Sequence, residues 1–341
     1  MSKEKVLNFF SVYGPITLGV VLLFIGSVFF GSTEPTQYRA FPVAGLRSEL
    51  GVGGDVTSPY LPIARPTVPL IKSATTSYDG VLTAAAAVVV DDASNVVLFN
   101  MGGDTVRPLA SITKLMSALV LLDLPLSWAS TTVITADDWD GESRLVNVGE
   151  KYTLEDLWNI GLIASSNTAI NALVRNSTVT TTQFIALMNK KAEALHLSTA
   201  FFVEPTGLDA ANVASALDTV VLLKEAIRRD KIFKALRTPE YYAAPLSNVK
   251  PRRLWSTNWL LTTWTPSVFT AESIVGKTGF INDSLYNFSV RLTSERGHSV
   301  RVAVLGAATN EERFSEARDL AMWAFSAYVW PTDPGYDALA E

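Results

Sequence analysis

Ser111 and Lys114 stand three residues apart at the start of an apolar helical stretch, SITKLMSALVLLD, so both side chains lie on one helix face within mutual reach. A serine hydroxyl is a poor nucleophile until a neighbouring base takes its proton, and a lysine desolvated near another cation can be that base. The helix N-terminus adds positive potential where an oxyanion would develop. Alone, the pattern is cheap. Ser2 with Lys5 and Ser247 with Lys250 repeat it, and an ordinary helix start, with Ser near the cap and Lys in solvent, has the same spelling. Ser165-Ser166-Asn167 interrupts the apolar run IGLIASSNTAINALV, where the competing reading is a polar helix terminus, and Ser256 with Asn258 repeats the Ser-x-Asn spacing. Lys277-Thr278-Gly279 leads into an extended segment. Its glycine lets a ligand approach the strand backbone closely, or else the triplet is a strand end with a solvated lysine.

Other chemistries are closed to this chain. Its 341 residues include no Cys and two His, at 196 and 298, which excludes disulfide scaffolds, thiolate catalysis and Cys-ligated metal centres, and leaves little for a His-based triad. Both histidines fall in helix-end and turn contexts and read as surface residues. The balance of 28 Lys+Arg against 33 Asp+Glu, net −5, offers no basic surface for nucleic acid. Hydrophobic residues at 48% against 18% charged allow a large core and exclude wholesale disorder.

The elements that must position these groups are legible as patterns. TAAAAVVVDD and NVVLFNM read as a β-hairpin turning at residues 92–95. Ile112, Leu115, Met116, Leu119 and Leu122 mark one face of the helix opened by Ser111. Helical patterns continue over residues 153–174, 181–195 and 218–236. Residues 274–279 read as extended, LYNFSVRLT and VRVAVLGAA as a hairpin around SERGHS, and residues 311–328 as a closing amphipathic helix. Strands at both ends with helices between them predict an α/β (α+β) domain whose antiparallel sheet is assembled from both ends and flanked by helices, with a helical subdomain inserted.

Upstream, 28 residues without formal charge separate Lys5 from Glu34, enough to span a hydrocarbon core of about 30 Å as a transmembrane helix. A cleaved signal peptide would need small residues before the cut, and Phe29 and Phe30 interrupt such a triplet. Lys3 and Lys5 precede the span, which predicts a cytoplasmic N-terminus, with everything beyond it outside. The expected organisation is therefore a tail and anchor over 1–33, a Pro/Gly/Ser-rich linker over 34–80, a folded domain over 81–330 and a tail over 331–341.

Order and spacing change the weight of the three motifs. Ser-x-x-Lys opens an apolar helix, Ser-x-Asn follows 54 residues later, and Lys-Thr-Gly comes 112 residues after that. This arrangement resembles the penicillin-recognising serine enzymes and, within them, the serine D-alanyl-D-alanine carboxypeptidases of peptidase family S11, the low-molecular-mass penicillin-binding proteins. RPLASITKLMSALV, FFVEPTGLD, VGKTGFINDSLYNFSV and ERFSEARDLAMWAF carry the resemblance.

The resemblance implies the penicillin-binding protein/β-lactamase-like transpeptidase fold. It makes Ser111 the acylated nucleophile and Lys114 its base, with Ser165 relaying a proton and Asn167 orienting the substrate amide. Lys277 would act electrostatically on Ser165, Thr278 would bind the substrate carboxylate within Lys277-Thr278-Gly279, and the N–H groups of Ser111 and Phe280 would form the oxyanion hole. Arg313 falls where the family has an Arg near that carboxylate, the alternative being a surface charge on the closing helix. The implied substrate is a peptidoglycan stem peptide ending in D-Ala-D-Ala, with β-lactams as covalent inhibitors, a membrane anchor in a bacterial envelope, and no metal or organic cofactor.

Two departures stand out: Glu204 replaces the usual Asn before Pro-x-Gly-Leu, and Ser284-Leu285 replace a common Ala-Gly pair. The β-rich C-terminal domain of many relatives is not expected. Three other readings stay open: a D-Ala-meso-diaminopimelate endopeptidase of the same family, a class A-like β-lactamase using Glu204, and an inactive membrane-tethered binding protein.

Overall fold

Strict alternation along the central strands decides the architecture. In β1 (Ala86–Asp91) the side chains of Ala86, Val88 and Val90 enter one core while Ala87 and Val89 enter another. With β2 (Val97–Met101), β3 (Ile274–Ile281), β4 (Leu285–Thr293) and β5 (Ser299–Ala307) this strand forms a five-stranded antiparallel sheet in the order β3-β4-β5-β1-β2. The sheet is thus assembled from the two ends of the folded region, and both of its faces are buried. The computed structural model describes residues 67–340 apart from 74–75, 142–144 and 247–249.

One face shares a core with α1 (Lys114–Asp123), α2 (Leu154–Ile163), α3 (Asn167–Arg175), α4 (Thr181–Ala194), α5 (Ala216–Ile227) and α6 (Asp230–Leu236), of which α5 and α6 lie against its strands and the others pack behind them. The other packs on α7 (Glu312–Ala327), where Phe288 of β4 meets Phe314 edge to face at 4.8 Å. Phe288 stands opposite Thr278 in the β3–β4 register, so this contact backs the strand that carries Lys-Thr-Gly.

Two expected helices are each divided. The 153–174 pattern breaks at residues 164–166, where Ser166 caps α3 by accepting from the Ala169 N–H at 3.2 Å. The 218–236 pattern breaks at Arg228 and Arg229. Two short hairpins, Thr131–Val133 with Lys151–Thr153 and Glu240–Ala243 with Arg252–Trp255, were not expected from the sequence. They flank α2, and the Arg252–Glu150 ion pair with the Tyr152 hydroxyl ties one to the other.

The folded region extends past both expected boundaries. Within the span read as linker, Leu70–Ile71 pairs with Tyr328–Val329, and the Tyr78 ring packs edge-on against Phe99 and Trp323. In the expected tail, Tyr336 is buried and donates to the Val68 carbonyl at 2.7 Å. Aromatic burial at these few positions outweighs the Pro- and Gly-rich composition around them. His298 is likewise not a surface residue: it stacks on Trp330 at 4.8 Å and pairs with Asp333 at 2.9 Å. The expected transmembrane segment lies outside the described residues, and among the described residues no helix is long and apolar enough to cross a membrane.

Truncating the aromatic contact behind β3 should be costly. Phe288→Ala is expected to lower stability by about 3–5 kcal/mol, read as a shift in the denaturant midpoint; a change within error would show that α7 does not support the sheet through this residue.

Candidate active site

The approach to Ser111 is held from several directions. Arg107–Pro108 pairs with Val213–Ala214, the Leu109 N–H donates to the Asn212 carbonyl at 2.8 Å, and the Asn287 amide donates to the Pro108 carbonyl at 2.9 Å. Ala110 then takes a positive φ of 49°, a strained conformation for a residue with a Cβ, and starts a 3-10 turn that runs into α1. Two glycines explain how the turn is gripped. A Cβ on Gly207, itself at φ 87°, would lie 1.8 Å from the Ala110 carbonyl oxygen, and one on Gly279 would lie 2.5 Å from the Leu109 oxygen and 3.2 Å from the Ser111 nitrogen. Only glycine lets both segments approach the Leu109–Ser111 backbone this closely.

Lys114 is the first residue of α1 and is fully buried. Its Nζ donates to Ser111 Oγ at 2.7 Å, Asn167 Oδ1 at 2.5 Å and the Thr206 carbonyl at 2.7 Å. Burial lowers its pKa to about 7, against the opposing pull of Glu204 and Asp140.

The Ser165-Ser166-Asn167 triplet divides its work. Ser165 sits in the break between α2 and α3 at φ 63°, which turns its hydroxyl toward Lys277, whose Nζ donates to it at 2.7 Å. Ser166 caps the helix, and Asn167 faces Lys114. Burial, then the nearby Lys114 and Arg313, push the Lys277 ammonium well below its ordinary value. Two buried amines this close cannot both hold a proton without cost, so the pair favours one neutral lysine.

Thr278 shares a 2.5 Å hydrogen bond with the Thr257 hydroxyl. Phe280 is half exposed and stacks on Tyr286 with ring centroids 4.4 Å apart. Arg313 is no surface charge: it is buried, and its Nη1 donates to the Gly279 carbonyl at 3.0 Å and the Asn287 carbonyl at 3.3 Å. Burial lowers its pKa to about 10, so it stays a cation bound to the backbone of β3 and β4. The repeat at Ser256 and Asn258 is a buried turn, with Ser256 Oγ accepting from the Asn258 N–H at 3.2 Å. Ser2, Lys5 and Ser247 lie outside the described residues.

Glu204 is not a solvent charge. Its carboxylate accepts from the Thr206 N–H at 2.7 Å and the Thr206 hydroxyl at 2.6 Å, and from the Gly207 N–H and the Asn212 amide. Ser284 is buried, its hydroxyl donating to the Leu285 carbonyl at 2.8 Å and accepting from the Ile281 N–H at 3.2 Å, which closes the β3–β4 turn, while Leu285 takes a φ of 57°. Sequence reasoning missed Thr257, Asn287 and Ser117, the last holding the Pro205 carbonyl on α1 at 2.5 Å. Nothing in their local sequence marks them, because their partners are distant in the chain.

A serine with a buried lysine at its oxygen, faced by a second Ser–Lys pair across an antiparallel sheet edge, defines a serine acyl-transfer site on the penicillin-binding-protein type of fold. The comparisons agree. The D-alanyl-D-alanine carboxypeptidase model of peptidase family S11 matches residues 72–309. The chain is 32% identical to a D-alanyl-D-alanine endopeptidase of Pseudomonas aeruginosa, over 73% of this chain and 79% of that one. It is 28% identical to a D-alanyl-D-alanine carboxypeptidase of Bacillus subtilis, over 72% of this chain and 63% of that one. The crystal structure of penicillin-binding protein D2 from Listeria monocytogenes, in its ampicillin-bound form, superposes with a TM-score of 0.62 at 26% identity, covering 73% of this chain and all of that one (100%). The chain belongs to peptidase family S11 and is a serine DD-peptidase by family.

Gly279→Ala should separate the fold from the chemistry. The added methyl meets the Leu109 carbonyl and the Ser111 N–H, so acylation by a fluorescent penicillin is expected to fall about a hundredfold while thermal unfolding stays cooperative; wild-type labelling rates would show that the close approach is not needed.

Proposed function

We propose that this chain removes the terminal D-Ala from peptidoglycan stem peptides through an acyl-enzyme on Ser111. One observation carries the reading: Lys114 Nζ sits buried at 2.7 Å from Ser111 Oγ with a pKa of about 7. Ser111 Oγ attacks the carbonyl of the penultimate D-Ala, and its proton passes to Lys114. The oxyanion is received by the N–H groups of Ser111 and Phe280. The C–N bond then breaks as Ser165 relays the proton to the departing D-Ala amine, and Lys277 holds Ser165 by the 2.7 Å hydrogen bond. Water attacks the ester, its proton returns to Ser111, and the shortened peptide leaves. Thr278 binds the carboxylate of the leaving residue, with the buried Arg313 charge behind Gly279. Asn167 orients the substrate amide while bound to Lys114. β-Lactams acylate the same serine. A span over residues 6–33 tethers the domain on the outer side of a bacterial cytoplasmic membrane, supported by the uncharged stretch and the lysines before it.

A second reading is favoured by the relatives, since the Pseudomonas aeruginosa match is named an endopeptidase. A cross-link between D-Ala and the D-centre of diaminopimelate also bears a carboxylate beside the scissile amide, so Thr278 serves either substrate. Digestion of purified monomeric and cross-linked muropeptides with the full chain separates the two. Free D-Ala supports the first reading; dimers cut to monomers without free D-Ala replace it with the second.

Ser111→Ala should abolish peptide turnover and penicillin labelling alike, and labelling that persists would remove Ser111 as nucleophile. Because Lys114 must be neutral to take the proton, acylation should fall as pH drops below about 7 and level off above it. Lys114→Arg should be inactive at every pH, as guanidinium does not deprotonate in this range; an active Arg variant would reduce the lysine to a positive charge. The hydrogen-bonded Glu204 carboxylate also bears on the β-lactamase reading: the penicilloyl adduct is expected to be long-lived, and rapid turnover abolished by Glu204→Gln with acylation intact would overturn that.

A further inference from the structure

The turn at residues 204–207 touches both halves of the nucleophile–base pair. Its Thr206 carbonyl accepts from Lys114 Nζ at 2.7 Å, its Gly207 backbone lies against the Ala110–Ser111 peptide, and its Pro205 carbonyl is fixed to α1 by Ser117 at 2.5 Å. What closes this turn is the Glu204 side chain. One carboxylate oxygen takes the N–H and hydroxyl of Thr206, and the other takes the Gly207 N–H and the Asn212 amide. Asn212 in turn passes its carbonyl to the Leu109 N–H at 2.8 Å, two residues before Ser111. A neutral amide at this position offers one acceptor oxygen where the carboxylate offers two, and it carries no charge.

We infer that Glu204 is a positioning residue for the Ser111–Lys114 pair, its carboxylate shaping the turn that meets both. Its negative charge acts on the same amine, toward the protonated form. The inference rests on the reading of Lys114 as the base. Around that amine the charged groups are few. Asp140, from the segment before α2, acts in the same direction as Glu204. Lys277 on β3 and Lys114 repel each other, and Arg313 on α7 acts on Lys277 in the same sense. Asp209, further along the loop from Glu204, has its carboxylate on the Ala211 N–H at 2.8 Å. Glu204 thus holds the geometry of the base while opposing the desolvation that activates it.

The two effects are separable by pH. The second-order acylation rate with a fluorescent penicillin is followed against pH for the full chain and for Glu204→Gln, Glu204→Asn and Glu204→Asp. Loss of the charge should move the acid limb of both neutral variants down by at least about half a pH unit. Acylation at about pH 5.5, relative to each variant's own plateau, then rises about threefold over wild type. Glu204→Asp keeps the charge and should keep the limb, with a lower plateau from the shorter reach. An unmoved limb in the neutral variants, whatever happens to the plateau, would overturn the inference, as would neutral variants that fail to fold beside an Asp variant that does. A wild type with no acid limb near pH 7 would instead take away Lys114 as base, and this inference with it.

Discussion

Burying an amine is the constraint around which this molecule is organised. A lysine out of water loses the solvation of its charge, and it stays in place only if every N–H finds an acceptor. Lys114 finds three, and each comes from a different part of the chain: the hydroxyl of its own helix start, the amide that opens α3, and a carbonyl in the turn at residues 204–207. The helical subdomain, the turn and α1 must therefore all be in place before the amine is satisfied. Those three acceptors favour the ammonium, and burial works against them, bringing the lysine to about 7, where either protonation state is within reach.

The surrounding fold supplies stiffness where the chemistry needs it. The β3 strand is backed by Phe288 and Phe314 on one side of the sheet and by the large helical core on the other. Ala110 and Ser165 hold left-handed backbone without being glycine, one beside Ser111 and the other bonded to Lys277. Such conformations cost of order 1–3 kcal/mol each and persist because neighbouring contacts over-determine them. At Ala110 those contacts are the two glycines and the Asn212 and Asn287 anchors; at Ser165 they are the flanking helices and Lys277.

Much of this was legible in the sequence, and the exceptions share a cause. The apolar run AAVVVD and the hairpin around SERGHS are local patterns, and so is the i,i+3 spacing of Ser111 and Lys114. Ser165 was singled out by its motif, but the break in the helical pattern over residues 153–174 resisted, because that pattern resumes beyond the triplet; the break is made by backbone geometry and by the Ser166 cap, which only becomes recognisable once the helix is known to stop. Thr257 lay hidden inside a stretch that repeats the Ser-x-Asn spacing for purely structural reasons. Arg313 was read from the resemblance as lying near the substrate carboxylate or else as a surface charge, and its burial follows from how α7 lies on the sheet, a tertiary fact without a local signature. The folded boundaries were drawn too tightly because Tyr78 and Tyr336 are single aromatic residues in polar surroundings.

The position of β3 has a consequence for recognition. Among the described residues it is the outermost strand of the sheet, bonded to a neighbour on one side only. An edge strand is a template, and natural sheets usually blunt such edges with charge, proline or a covering loop. Here the edge carries Lys277, Thr278 and Gly279 instead. Under the proposed function this edge is where an extended substrate backbone would pair, beside Ser111, whereas a helical or coiled peptide has no matching row of groups to offer.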